Sequence, residues 1–287
     1  MQTHAVLSCF SSSESWSILS DIERSIKAKI EAVGTPLKDW DIQINYGIKT
    51  GFNDAFIIDS AKRNEILDAC QTEEERQRTA AIIRPILRGR DIRRYGYEWA
   101  DLWLINTHNG LKGVLERIHI EDYPAIKQHL DNYWDKIEPR ADQGETAYNL
   151  RNCAYLDDFS RPKIIWKRVG SIIRFSFDEN GVFGLDSTCF ATGKHIPYLC
   201  CLLNSSMGHY LLNGAPRTGT GDLLISVQAV EPVRVPVIDD SDATFSDLVR
   251  RSITNPSSEL DEEIDNIVFD LYGLNPEERE YIVSNYR

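Results

Sequence analysis

The stretch of residues 161–192, RPKIIWKRVGSIIRFSFDENGVFGLDSTCFAT, decides the fold class. Three segments in it read as β: 161–169 (RPKIIWKRV), 172–178 (IIRFSFD) and 181–192 (GVFGLDSTCFAT). All three carry the β-branched and aromatic residues that suit a pleated surface. Asp178, Asn180 and Gly181 supply the φ > 0 positions that a hairpin between the second and third segments requires. IPYLCCLLNSSMGHYLLNG (196–214) follows, apolar nearly all round, as a buried helix would be. Strands and helices without a regular βαβ rhythm predict the α+β class.

The flanking sequence extends this pattern. Residues 12–33 read as an amphipathic helix with Trp16, Ile18, Leu19, Ile22, Ile26 and Ile30 on one side, stopped by Gly34 and Pro36. Apolar residues alternate from Ile42 to Ile58 around Gly51-Phe52-Asn53-Asp54, which predicts a hairpin. Thr72 caps a helix over 72–80. WADLWLINTH (99–108) holds a short strand, and a helix runs from Tyr123-Pro124 through Leu130 to Ile137. The loop Arg217-Thr218-Gly219-Thr220-Gly221 leads to the alternating LLISVQAVEPVRVPVI. ELDEEIDNIVFDLYGL (259–274) predicts a helix ending near Gly273, and a second short one starts at Asn275-Pro276. The expectation is mixed β-hairpin sheets with interleaved helices, a body over 1–237, and an acidic helical segment over 238–287 packed on it.

The chain has 287 residues, 42% hydrophobic and 26% charged, an ordinary globular composition long enough for a substantial core. No run approaches the roughly 20 apolar residues of a membrane span, and no secretory signal is visible at the start. A cytoplasmic location without membrane contact is the expectation. Six cysteines form no C-x-x-C pair and six histidines no H-x-x-x-H pattern, so reduced, mostly buried thiols and no metal site are expected. Catalytic signatures are missing: there is no Walker A lysine, no G-x-S-x-G and no H-E-x-x-H. Gly219-Thr220-Gly221 is a bare G-x-G that precedes a strand instead of opening a helix. The acidic run 259–265 reads as a solvated helix face.

The basic residues say more. RPILRGRDIRR (84–94) sets five arginines against one aspartate. A guanidinium fork matches phosphate oxygens and the O6/N7 edge of guanine. Lys163, Lys167, Arg168 and Arg174 form a second cluster, interleaved with Trp166 and Phe175. The formal charge of −12 by itself argues against an anionic partner, yet residues 238–287 hold thirteen acidic and four basic side chains. That segment carries −9, which leaves −3 on residues 1–237.

Seven motifs occur in one order over nearly the whole chain: GIKTGFNDAFIID, RPILRGRDIRRY, WLINTH, YPAIKQHL, YNLRNCAYLDDFSRPKIIW, YLCCLLNSS and IDNIVFDLYGLNPEER. Together they resemble the TaqI-like C-terminal specificity domain of adenine-specific DNA methyltransferases and of single-chain type IIG restriction-modification enzymes. The resemblance implies a target-recognition domain that docks on double-stranded DNA and reads base edges in the major groove. The [ND]-P-P-[YF] tetrapeptide of the catalytic domain is absent, since the Asn-Pro pairs continue as Ser257 and Glu277, and so is a P-D…[DE]-x-K nuclease signature. No cofactor is therefore expected in this chain. S-adenosylmethionine would belong to an implied catalytic domain, in cis or in trans, with this chain as a fragment or a separate subunit.

Mapped through those motifs, the expected DNA-binding residues are Lys49, Thr50 and Asn53 in the first and Arg84, Arg88, Arg90, Arg93 and Arg94 in the second. Lys163, Lys167, Arg168 and Arg174 on the strands and Arg217 in the glycine-rich loop complete the set. Thr50 and Asn53 serve equally well as plain turn residues. One or two of the arginines brace the fold against acids such as Asp91 or Asp54, while Trp103, Trp166 and the YLCCLL helix belong to the core. The rival reading is a structural or regulatory subunit whose acidic tail holds a methyltransferase by protein contacts. An independent enzyme comes third.

Overall fold

The computed structural model describes residues 19–239 and 242–286. Helix α1 (Asp21–Val33) starts at a capping box, with Ser20 Oγ accepting from Glu23 N and the Glu23 carboxylate accepting from Ser20 N. Its expected extension over 12–18, with Trp16 and Ile18, lies outside the described residues. The first half continues with β1 (Gly34–Pro36), β2 (Ile42–Tyr46), α2 (Asn53–Phe56), β3 (Ile57–Asp59), α3 (Ser60–Asp68), α4 (Glu73–Ile82), β4 (Ile83–Leu87), β5 (Leu102–Ile105), α5 (Pro124–Asp131) and α6 (Trp134–Ile137). The second half holds β6 (Lys163–Lys167), β7 (Val169–Gly170), β8 (Phe175–Asp178), β9 (Phe183–Gly184), β10 (Thr188–Gly193), α7 (Ile196–Asn204), α8 (Ser206–Leu212), β11 (Leu223–Leu224), α9 (Val227–Val230) and β12 (Arg234–Pro236). Three helices close the chain: α10 (Asp242–Thr254), α11 (Ser258–Leu271) and α12 (Pro276–Tyr286). The class is α+β, as expected.

Two four-stranded sheets dominate. The first, β2-β10-β6-β8, is antiparallel throughout; the second, β3-β5-β4-β9, is antiparallel except for the parallel β4–β9 pair. Along β6 and β10 the two-residue period of the strand sends side chains to opposite faces. Ile164, Trp166, Cys189 and Ala191 enter a core with α7, α8 and the three C-terminal helices. Ile165 and its cross-strand partner Phe190 enter a second core with α2, α5 and the second sheet. Each side chain buried this way contributes about 1.5–3 kcal/mol. The helix expected from the YLCCLL run is present and interrupted once, at Ser205, which ends α7 and caps α8. Burial pushes the Cys201 thiol up to about 12, so it stays protonated.

Several local expectations are corrected. There is no hairpin from Ile42 to Ile58: β2 pairs with β10, β3 pairs with β5, and Asn53–Phe56 is a helical turn. Asn180-Gly181 does not join paired strands either. Gly181 (φ 72°) does turn the chain, but β8 pairs with β6 while β9 crosses to β4 in the other sheet. The helix expected through Ile137 breaks at Asn132–Tyr133 into α5 and α6. The alternating run after Leu223 is interrupted by α9. The 259–265 face is not wholly solvated, because Asp265 is buried and accepts from Ser206 N and Oγ at 2.8 and 2.7 Å.

One polar pair lies inside the first sheet. Lys163 and Asp178 are both fully buried, with Nζ 2.5 Å from Oδ2 and 2.6 Å from the Phe159 carbonyl oxygen. Asp178 also accepts from Tyr97 Oη and Val182 N. Removing one partner strands the other charge in a low dielectric, at about 3–5 kcal/mol. Lys163→Ala is therefore expected to lower unfolding free energy by that order, measured by denaturant titration; a loss below about 0.5 kcal/mol would refute the pair as a brace.

Candidate functional site

Of the thirteen candidate contact residues, several are consumed by the fold. Lys163 is sealed in its ion pair, so it reaches no partner outside the chain. Thr50 is 1% exposed, donates to Asn53 Oδ1 at 2.6 Å and lends its carbonyl oxygen to Arg140, the bonding of a turn residue. Asn53 is exposed but accepts that hydrogen bond. Arg94 donates to the Asn204 carbonyl oxygen at 2.9 Å and pairs with Asp261 at 2.5 Å, tying the arginine segment to α11. Arg84 reaches the Gly181 carbonyl oxygen and lies 5.7 Å from the Phe183 ring centre.

Arg88 is the expected brace. Its guanidinium grips the buried Asp91 carboxylate through Nε (3.0 Å) and Nη2 (2.7 Å), and its backbone N–H adds a third bond. Burial alone raises the Asp91 carboxyl; the bonds from Arg88 together outweigh it and hold the group below the usual carboxylate range. Asp54, the other acid expected to brace an arginine, has no salt bridge among the described residues.

What remains is a cleft of about 230 Å³ between the 3-10 turn Gly89–Asp91 and the loop after β7. Arg90, Arg93, Lys167 and Arg174 line it, with Ser171 and Ile172 at the rim. Arg93 pairs with the exposed Glu98 at 2.5 Å. Among the described residues, the side chains of Arg90, Lys167 and Arg174 have no hydrogen bond or salt bridge within the chain. Glycine permits this construction: a Cβ on Gly89 would stand 2.8 Å from Lys167 Cγ and 3.1 Å from the Ser187 carbonyl oxygen. The Gly89 N–H donates to Ser187 Oγ at 3.0 Å, fixing the turn against the end of β10. A concave surface with uncompensated cations focuses positive potential and attracts anions. The basic residues were legible in the sequence. Ser171 and Ile172 were not, although Ile172 is 60% exposed on a short loop, an unusual place for a large aliphatic side chain.

Lys49 and Arg168 belong to a second cleft, of about 620 Å³, beside the first. Lys49 pairs there with Asp142 at 2.8 Å. Arg217 lies in neither cleft; it closes its own loop on Gly221 O and Asn213 Oδ1. Among the described residues no group of three or more His, Cys, Asp or Glu is arranged for a metal ion, and no helix is long and apolar enough to cross a membrane.

The cationic cleft thus stands on an α+β scaffold of two sheets. Residues 84–221, which contain the cleft, match the family described as the TaqI-like C-terminal specificity domain. Its fold is similar to part of the type IIL restriction-modification enzyme MmeI, solved in complex with DNA, with a TM-score of 0.58 at 12% identity over 88% of this chain and 36% of that one. The type IIG restriction endonuclease BpuSI also matches, with a TM-score of 0.49 at 16% identity over 90% of this chain and 34% of the other. The chain thus spans about a third of the length of either. No curated protein matches it.

Two measurements separate bracing cations from free ones. Arg94→Ala is expected to lower stability by about 1.5–3 kcal/mol, the range for hydrogen bonds to charged groups, while Arg90→Ala stays within about 0.5 kcal/mol in urea titration. The depressed Asp91 pKa sets a sign as well. Its stabilisation is complete above the usual carboxylate range and fades as pH falls through and below it. Arg88→Ala should therefore flatten the acid limb of the stability–pH curve, read from unfolding midpoints between about pH 5 and pH 3; an unchanged limb contradicts the assignment.

Proposed function

We propose that this chain is the DNA-reading part of an adenine-specific methyltransferase or restriction-modification enzyme, with catalysis supplied by another domain or subunit. The observation that carries the proposal is the cationic cleft, three of whose basic side chains have no partner within the chain, set inside a specificity-domain match. Arg90, Lys167 and Arg174 would hold backbone phosphates and fix register. Ser171 and Ile172 on the projecting loop would meet base edges, where an aliphatic side chain suits the thymine methyl. Arg93 and Arg217 are near enough to the surface to join once their internal partners yield. S-adenosylmethionine belongs to the catalytic part: Gly219-Thr220-Gly221 leads into β11 and not into a helix N-terminus, so no residue here is assigned to it. The overall negative charge predicts weak binding alone and tighter binding when a catalytic domain embraces the duplex from the other side.

The test is fluorescence anisotropy on a DNA duplex bearing the cognate site, with the catalytic partner present, across a salt series. Each of Arg90→Ala, Lys167→Ala and Arg174→Ala is expected to weaken binding and to reduce the log–log salt slope by about 1 without lowering thermal stability. Binding that is absent even at low salt, or is untouched by all three substitutions, overturns the reading.

A further inference from the structure

The second cleft is built for a ligand of its own. It lies between the end of β5, the segment 150–156 and the end of β6, and so joins two sequence motifs, WLINTH and YNLRNCAYL, to which the cationic cleft gives no role. Asn106 on its wall is 93% buried by its 7% exposure, and its side-chain oxygen has no hydrogen-bond partner. Arg168 also lines the cleft, and its buried Nε is likewise unpartnered. Unsatisfied buried polar atoms are rare in native proteins because each forfeits about 1–3 kcal/mol. Two of the residues that carry one line this cavity, so its wall holds polar groups whose bonding capacity the chain leaves unused.

The rest of the wall specifies what kind. His108 Nδ1 accepts from Gly110 N at 3.2 Å, which leaves Nε2 carrying the hydrogen as a donor. Burial lowers the His108 pKa, favouring this neutral form. Tyr46 and Tyr155 present aromatic rings, and the Arg168 guanidinium lies 6.0 Å from the Tyr46 ring centre. Lys49 and Arg151 add positive charge at the mouth, partly met by Asp142, at 2.8 and 3.4 Å, and Asp186 is the lining carboxylate. Hydrogen-bonding groups beside aromatic rings suit a heteroaromatic base, and the neighbouring cations suit a phosphate.

The cleft also adjoins the cationic one. Lys167 lines the first and the next residue, Arg168, lines the second. Ser187 fixes both walls, taking the Gly89 N–H on its hydroxyl and the Arg168 N–H on its carbonyl.

We propose that this cleft binds a single unpaired nucleotide, its base against Asn106, His108 and the tyrosines and its phosphate near Arg168 and Lys49. The proposal rests on the DNA-reading assignment only for the source of that nucleotide. The experiment uses the full chain and three probes: a fully paired duplex, the same duplex with one bulged 2-aminopurine, and free deoxynucleoside monophosphates. The bulged duplex is expected to bind about tenfold tighter than the paired one, with a change in 2-aminopurine emission, as stacking of one base on aromatic side chains provides. His108→Ala should abolish that preference while leaving paired-duplex affinity unchanged; Arg90→Ala should weaken both duplexes equally. A bulged 5-iododeoxyuridine should photo-crosslink to Tyr46 or Tyr155 in the unsubstituted protein, a readout independent of any variant's folding. Equal affinity for both duplexes, or crosslinks confined to 89–93 and 170–174, overturns the nucleotide cleft while the DNA-reading assignment stands. If no duplex binds but a free monophosphate does, lost on His108→Ala, the cleft stands and the DNA source fails. Binding of none of the three overturns both.

Discussion

The structure depends on a sheet that is buried on both faces. Ile165 and Phe190, directly opposite each other on β6 and β10, point into one core, while Trp166 and Cys189, the next pair along, point into the other. A slip of one residue in that register would exchange the two sets of side chains and damage both cores at once. The Lys163–Asp178 pair lies within the same sheet and adds a second constraint, since two opposite charges sealed from water tolerate no alternative partner. The basic cleft lies where these strands end, beyond the point where burial stops.

This placement explains how an acidic protein presents a cationic surface. Three of the C-terminal acids are used by the fold: Asp265 on Ser206, Glu278 on Lys29 and Ser25, and Asp261 on Arg94. The arginine segment is divided in the same way. Arg88 and Arg94 turn inward to Asp91 and Asp261, and their pairing holds Arg90 outward on a three-residue turn. The cations available to a partner are those whose neighbours along the chain have been used as fasteners.

Along β6 the same logic operates over four residues. Lys163 and Lys167 point to the same face of the strand, yet one is fully buried and the other exposed, because the second core ends between them. The consecutive Lys167 and Arg168, at the strand's end, then line separate clefts. Sequence spacing gave all three residues equal standing.

By itself the sequence determined the class, the buried YLCCLL helix, the capped α4, the helices α11 and α12 and the resemblance to a specificity domain, because periodicity, caps and ordered motifs are local or linear properties; α10 carried no such signal. It also located the arginine-rich turn, since five guanidinium groups among eleven residues are visible without a fold. The tertiary structure decided the strand partners, sending β2 to β10 and β9 to β4 where local alternation and turn residues suggested hairpins. It decided which basic side chains are spent, because an ion pair is a meeting of residues such as Arg94 and Asp261, 167 positions apart. And it alone assembled the second cleft, whose Asn106 carries no signal until folding buries its side-chain oxygen and leaves it unpaired, and it set Arg168 there, apart from Lys167. Burial and long-range pairing depend on the whole chain, and no local pattern encodes them.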